Sequence, residues 1–544
     1  METVDRAPRR RRLATTVALC LATAFAAAPL SGCRVNDDDV HRWENTARGP
    51  DKLSAVLLHD KYEVPLRVEA ALSLIRMKPR QGRRIGINMV VETLSQPQVT
   101  PEARQQIVAK LIPAVIAELK KPPPVAQAGQ PSPPDGSYPY KDAAYALLNA
   151  ERTVIIADET LKASLKQALV DWAMADFEHR LDNRTQSYGM EQLLRYLGAP
   201  SVAGLPKLMT REAKHLDQMA ALVSELGDAK TKDAASTALV TIAKYVTSDE
   251  WTKVKTPELQ AANAASKLAP TEKQFQAQLA QYQDEELFRV FGALRKVGGR
   301  PAVDFCLGFA GDGKQNEKRR SAALAALEGR LDRNNPDDIK RVLAIASADA
   351  PDTVLDGAFR RIGEMPRERV VDDLYKLLKI DTKWKIRRAA AMTVLKMSTV
   401  KHLDEFMSKL PEGTAKGFGM PEALAYGAAF GDLKEGNPLE AAKKYFTTGS
   451  PAARASAISY MFTYGTVADL GVVQPLEAEK ANVPVCDSDP ECKWSCEIAK
   501  EGAKDPAKER EAKDIKTVGD FVRFCIEPAM KERKPEPPKK DEKK

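Results

Sequence analysis

The chain has 544 residues, a formal net charge of +8, 43% hydrophobic residues and 6% aromatics. That length implies several domains or one extended array, and the apolar content is enough to bury a large core. The basic excess is too dilute to demand nucleic acid, whose binding needs a concentrated basic face.

At the N-terminus Arg9, Arg10, Arg11 and Arg12 form a cationic patch, and Leu13 to Leu30 follow without a charge. The run closes on small residues, Leu30-Ser31-Gly32-Cys33. A basic n-region, an apolar h-region and a small-residue end describe a secretory signal. The L-S-G-C end resembles the bacterial lipobox, whose cysteine thiol receives diacylglycerol before cleavage just ahead of it. The resemblance implies a signal peptide over 1–32, a lipid on Cys33 and a spacer over 33–50. Each buried methylene contributes about 0.8 kcal/mol to membrane attachment, so two or more acyl chains anchor stably. Arg34 follows the cysteine; lipoproteins kept at the inner membrane carry aspartate there. The expected location is therefore the cell envelope, lipid-anchored and periplasm-facing, with the outer membrane favoured. Residues 1–32 hold five arginines and two acids, so their removal lowers the net charge to +5 over 512 residues. No later segment offers 18 uncharged apolar residues, so no further span is expected.

Windows such as "VEAALSLIRM", "AAYALLNAERTV" and "DDLYKLLKI" place apolar residues at helical spacing, and alternating Val/Ile/Thr runs are scarce. The chain reads as all-α. Helical repeats are expected over 51–120 and a main array over 141–478. Between them, 121–140 reads as an extended linker, with seven prolines from Pro122 to Pro139. Internal repeats set the architecture. "GALRKVGGRP" at 292–301 matches "GAFRRIGEMP" at 357–366, an offset of 65. "LRYLG" at 194–198 matches "LRKVG" at 294–298, an offset of 100. A pattern Arg-x-x-Ala-apolar recurs from Arg320, Arg388 and Arg454 at offsets of 68 and 66, with a fourth copy from Arg67. A period near 33 is a helical-solenoid signal.

These segments resemble HEAT-like repeats, in which an aspartate in a turn precedes a helix opening with arginine. Asp60 stands seven residues before Arg67, Asp312 seven before Arg319 and Asp381 seven before Arg388. The stretch at 449–461 lacks the aspartate, and Lys232 replaces the arginine in "GDAKTKDAAS". The resemblance implies an α-solenoid of antiparallel helix pairs, with the Asp–Arg pairs forming a structural ladder at the repeat seams.

Cysteines cluster at Cys486, Cys492, Cys496 and Cys525. In an oxidising compartment that even number reads as two disulfides with three possible pairings, of which Cys486–Cys492 with Cys496–Cys525 is favoured. Cys492 and Cys496, four apart, are expected to share a helix face. "TVGDFVRFCIEP" is expected to form a second helix that stops at Pro528. The module at 479–530 would then cap the last repeat, whose apolar face is otherwise exposed. A four-thiolate zinc site is the alternative, but C-x5-C-x3-C-x28-C is not a zinc-ribbon spacing. Cys306 stands alone and reads as a small buried hydrophobe. The tail at 531–544 reads as disordered and charged.

One motif invites a nucleotide-binding reading. "GFAGDGKQ" at 308–315 is G-x4-G-K, but Gln315 stands where a P-loop needs Ser or Thr. His41, His59, His179, His215 and His402 are scattered, and no G-x-S-x-G elbow occurs. "KWKIRR" at 383–388 is a basic patch beside Trp384, fit for a phosphate or an acidic partner but more simply a helix edge. The sequence therefore points to no catalytic residue, cofactor or metal. It predicts a lipid-anchored scaffold that binds envelope proteins through a broad helical surface and binds no nucleic acid. The alternatives are an enzyme subunit like the HEAT-type lyases, and an assembly factor holding lipid or glycan in a solenoid groove.

Overall fold

Alanine, leucine, lysine and glutamate have high helix propensity, and this chain is built from them. The computed structural model is accordingly helical through most of the residues it describes: 35–79, 84–125, 133–150, 153–183, 187–411, 418–484, 494–500, 502 and 508–533. Among them no helix is long and apolar enough to cross a membrane. Packing divides the chain into two compact units, 1–201 and 202–544.

The first unit opens with α1 (Asp37–Trp43), α2 (Gly49–Leu58), α3 (Val64–Arg76), α4 (Ile85–Leu94) and α5 (Pro101–Leu119). It continues with α6 (Tyr138–Leu148), α7 (Glu159–Ala175), α8 (Phe177–Asp182) and α9 (Met190–Leu197). Helices α2, α4 and α6 pack in one row and α3, α5, α7 and α9 in a second. Helices α5 and α6 flank the proline-rich stretch and pack on one another, so the unit boundary falls beyond it. Local chemistry sets the helix starts. The Thr100 hydroxyl accepts from the Ala103 amide, and the Asp158 carboxylate from the amides of Thr160 and Leu161.

The second unit begins with α10 (Leu205–Leu208), α11 (Leu216–Leu226), α12 (Ala229–Val246), α13 (Asp249–Ala265) and α14 (Glu272–Val297). Next come α15 (Arg300–Gly311), α16 (Glu317–Ala326), α17 (Pro336–Ser347), α18 (Asp352–Ile362), α19 (Arg367–Lys376) and α20 (Trp384–Lys396). The array ends with α21 (Leu403–Lys409), α22 (Met420–Phe430), α23 (Pro438–Lys443), α24 (Pro451–Tyr464) and α25 (Leu470–Val473). Helices α14, α16, α18, α20, α22 and α24 stack side by side, and α15, α17, α19 and α23 each pack on the next helix of that row. This is an α-solenoid of HEAT-like helix pairs. The two ten-residue repeats occupy equivalent turns: one leaves α14 for α15, the other leaves α18 for α19. In the first, Gly298 and Gly299 adopt φ of 69° and 88°, a region glycine enters without strain. Side chains such as Leu324, Val354 and Val394 are wholly buried in the seams, each contributing about 1.5–3 kcal/mol.

Arginines tie the hairpins together. The Nε of Arg67 donates to the Leu57 carbonyl at 2.8 Å, that of Arg104 to Leu94 at 2.6 Å, and that of Arg320 to Ala310 at 2.7 Å. In each case a buried guanidinium reaches ten residues back and satisfies a carbonyl at the C-terminal end of the preceding helix, where partners are lacking and positive charge is favoured. The α15–α17 pair carries its own link. Arg300 Nε donates to Asp304 at 2.9 Å, Arg341 to Asp304 at 2.7 Å, and Arg300 also to Asp338 at 3.0 Å, joining α15 to α17. Hydrogen bonds from Arg300, and then Arg341, hold the Asp304 carboxyl down at about 2. A lowered folded-state value gives stability that is present above the unfolded value near 4 and lost as pH falls through about 2. Asp304 is half exposed, so solvent screens the effect. Asp304→Asn is expected to cost about 0.5–1 kcal/mol at neutral pH and nothing near pH 2, read by denaturant titration at both.

At the C-terminal end a two-stranded antiparallel ribbon, β1 (Cys496–Ala499) and β2 (Arg510–Lys513), precedes α26 (Val518–Phe521), a π-turn (Val522–Ile526) and α27 (Glu527–Glu532). This corrects two sequence expectations. Cys496 opens a strand rather than lying on a helix, because the ribbon pairs Cys496 with Lys513 in register. The helix also does not stop at Pro528. It runs to Glu532, because the wider π-turn just before Pro528 accommodates a residue that cannot donate to the preceding turn. Cys496 and Cys525 are joined by a disulfide, with Cα atoms 5.8 Å apart. Cys33, Cys486 and Cys492 lie outside the described residues. The Trp494 ring meets Phe521 at 5.7 Å and Phe462 of α24 at 6.2 Å, so the module covers the last hairpin of the array.

Candidate functional site

The "GFAGDGKQ" segment is not a phosphate loop. Gly308 and Gly311 lie in the last turns of α15, which is helix where a P-loop requires a strand. The Asp312 carboxylate accepts from the Lys314 amide at 3.0 Å and from Gln315 Nε2 at 3.2 Å, closing its own turn. Cys306 is buried in α15, and burial pushes its thiol up to about 12, which keeps it protonated and inert. Among the described residues no group of three His, Cys, Asp or Glu side chains is arranged to hold a metal.

The aspartates and arginines singled out in the sequence are dispersed. Asp60 acts on Arg67 only through its charge, while the Arg67 hydrogen bonds go to backbone carbonyls. Arg319 pairs with Asp284 of α14 at 2.5 Å and with Gln283 at 2.7 Å, not with Asp312. Its neighbour Arg320 holds the seam position instead. Asp381 and Arg388 are both exposed and make no bond to each other; at that repeat Arg387 turns inward. Arg387 donates Nε and one terminal nitrogen to the two oxygens of Glu422, at 2.9 and 2.6 Å, and another to the carbonyls of Ile380 and Thr382. The Tyr426 hydroxyl donates to Glu422 at 3.1 Å. Burial raises the Glu422 carboxyl's pKa, and the Arg387 and Tyr426 bonds offset part of that rise. Nothing in the sequence signals Glu422, which is reached across 35 positions.

With Arg387 turned inward, Arg388 turns outward and lines a groove of about 1070 Å³ between α18, α20 and the end of α22. Two helical ridges form its walls. Asp352, Asp356 and Arg360 follow each other at four-residue spacing on α18, and Trp384, Arg388, Met392 and Lys396 do so on α20. Leu355, Phe359 and Leu395 form an apolar floor. Asp432 and Lys434 close one end, where the Val400 amide donates to the Lys434 carbonyl at 3.0 Å. Lys385 pairs with Asp352 at 3.1 Å and lies 5.9 Å above the Trp384 ring. The groove is thus an open, mixed surface with an aromatic and a methionine on its wall. Among the described residues it carries no nucleophile–base pair.

The first unit has a smaller cleft of about 610 Å³ between α4 and α6, lined by Asn88, Glu92, Tyr145, Asn149 and Tyr188. Beside it Lys141 and Asp142 are fully buried and paired at 2.6 Å, and Lys141 also donates to the Tyr188 carbonyl at 2.5 Å. These groups brace the turn that carries Tyr188.

No family model and no curated protein matches the chain. Several solved structures are similar to it. One is an engineered protein, at 14% identity over 79% of this chain and 99% of that one, with a TM-score of 0.21. Another is Kap121p bound to Pho4p, at 11% identity and TM-score 0.22, covering 82% of this chain but only 48% of the other. A third is a microtubule polymerase with a Tumor Overexpressed Gene (TOG) domain array, at 12% identity over 80% and 94%, with a TM-score of 0.20.

Proposed function

We propose that this protein is a non-catalytic scaffold that binds protein partners through its helical surface and is held at a bacterial cell envelope by lipid on Cys33. The observation that carries the binding reading is the open groove on the α18–α20–α22 row, lined by Arg360, Arg388, Met392 and Trp384 with no catalytic constellation beside them among the described residues. The HEAT-like architecture supports it, since such arrays recognise partners through extended faces shared by many repeats. The anchoring reading rests on the basic patch, the apolar run and the closing Leu-Ser-Gly-Cys. Arg34 directs the reading toward the outer membrane.

Two measurements test it. Cys33→Ser is expected to abolish incorporation of labelled palmitate and to release the protein from the membrane fraction. A variant that stays wholly membrane-bound refutes the lipid anchor. A photo-crosslinking amino acid at Met392 is expected to capture a protein in intact cells, and one at Lys230, on the outer face of α12, is not. Failure to capture at any site on either helix row removes the scaffold reading.

A further inference from the structure

We infer that the α18–α20 groove takes an acidic protein segment carrying apolar residues at regular intervals. The inference rests on the protein-binding reading and adds the partner's chemistry. Five lining side chains are cations and three are acids, so the groove is net positive. The distribution matters more than the sum. Lys385 is occupied by Asp352, whereas Arg360, Arg388, Lys396 and Lys434 are exposed and have no ion-pair partner among the described residues. Elsewhere in this unit cross-repeat pairs join Arg367 to Glu405, Lys401 to Glu435 and Lys444 to Asp404. Four unpaired cations around one open groove, against two unpaired acids, form a site complementary to negative charge, and arginine is the side chain best suited to grip carboxylates in a fork.

The spacing specifies the ligand further. Arg388 and Lys396 are eight residues apart on one helix face, about 12 Å along the axis. Trp384 and Met392 stand at the same interval, one turn earlier. Four residues of extended chain, at about 3.3 Å each, cover that distance. A segment with acids and apolar side chains in alternate blocks would set its carboxylates on Arg388 and Lys396 and its apolar groups against Trp384 and Met392. Methionine adapts to such contacts without a fixed shape. Asp356 and Asp432 exclude a uniform polyanion as the better fit. Among the described residues both stand in the groove without an ion pair, and a phosphate polymer would set like charge against them, whereas a peptide can place a neutral or basic residue there. The volume also exceeds what a single small anion would fill.

The test uses the full-length protein in detergent and fluorescein-labelled peptides of repeated Glu-Glu-Leu-Gly, with Gln-Gln-Leu-Gly and Lys-Lys-Leu-Gly as controls. The acidic peptide is expected to bind, more weakly as salt rises, and the controls are not. The combined Arg360→Glu, Arg388→Glu and Lys396→Glu variant is expected to weaken binding roughly tenfold or more. Trp384→Ala is expected to weaken it while leaving the salt dependence in place. Lys230→Glu with Lys244→Glu, both exposed on α12, is expected to change neither, and the groove variant to melt with the wild type. Equal binding by the groove variant overturns the inference, as does equal binding of the glutamine peptide or preferential binding of inorganic polyphosphate. If the acidic peptide fails while a crosslinker at Met392 still captures a protein, the acidic preference is wrong and the scaffold reading stands. If both fail, both fall.

Discussion

Arg387→Ala is expected to destabilise the second unit by about 3–5 kcal/mol, far more than a surface substitution. The Arg387 side chain is 1% exposed and that of Glu422 is 0%, so neither charge has water to fall back on. Their forked pair joins α20 to α22 and, through the Ile380 and Thr382 carbonyls, fixes the entry to α20. Without the guanidinium, Glu422 keeps only the Tyr426 hydroxyl and local backbone, and an uncompensated carboxylate in that position favours protonation. The sign of the pH effect follows. A carboxyl whose folded-state value is raised loses stability as pH climbs from its unfolded value toward its folded one, because the folded state holds the extra proton. The deficit of Arg387→Ala should therefore be larger at pH 7 than at pH 4. Replacing both partners, Arg387→Met with Glu422→Leu, is expected to recover most of the loss, since no charge is then left buried. Amide exchange of α20 and α22 measures the local opening free energy of each variant. A loss below about 1 kcal/mol at neutral pH would show that this pair does not hold the seam.

That pair also marks where the sequence stopped being readable. The helical period, the repeat offsets and the equivalent turns at 292–301 and 357–366 follow from local spacing, and the helices stand where the spacing puts them. Which of two adjacent arginines turns inward does not follow. "KRRSAAL" and "IRRAAAM" each offer two candidates a hundred degrees apart on the helix. In the first, Ala323 and Leu324 are buried in register with Arg320, and the Arg-x-x-Ala pattern finds the right residue. In the second, three alanines in a row supply no asymmetry. The pattern then selects Arg388, while the fold buries Arg387 with Ala390. The choice is made by Glu422, on α22, and no local signal reports it.

The aspartates show a related limit. A carboxylate in a turn has two competing uses, a distant arginine or the amides two residues on, and side chains of this kind favour the nearer partner. Asp312 takes the near option. Arg319 is thereby left for Asp284 on α14. The groove was half legible for the same reason. The basic patch at 383–388 stood out, but Arg360 and Lys396 join it only once α18 and α20 lie side by side. The ribbon at 496–499 and 510–513 had no signal at all. "REAK" is exposed throughout and low in strand propensity, so its pairing is imposed by its surroundings.

Those surroundings include the Cys496–Cys525 bridge, whose removal gives the second large effect. The two cysteines are 29 residues apart, and closing a loop of that length is worth about 3–4 kcal/mol in the chain-entropy account. Cys496→Ala with Cys525→Ala is therefore expected to lower amide protection across α26, the π-turn and α27 by roughly two powers of ten or more. Helices α14 to α20, which among the described residues do not pack substantially on the module, should keep theirs. The effect should spread one step inward. Trp494 and Phe521 form an aromatic cluster with Phe462 of α24, and Arg533 donates to the Gly465 and Phe462 carbonyls at the end of that helix. When the module opens, α24 loses both its apolar cover and its C-terminal hydrogen bonds, so protection at Met461 and Phe462 should fall as well. A terminal repeat stripped of its cap presents an apolar face, and the variant is expected to self-associate as concentration rises. Adding a reductant to the wild type should reproduce each change. Unchanged protection over 518–532 after the double substitution would mean that packing on α24 alone holds the module, and that the bridge follows from the fold without supporting it.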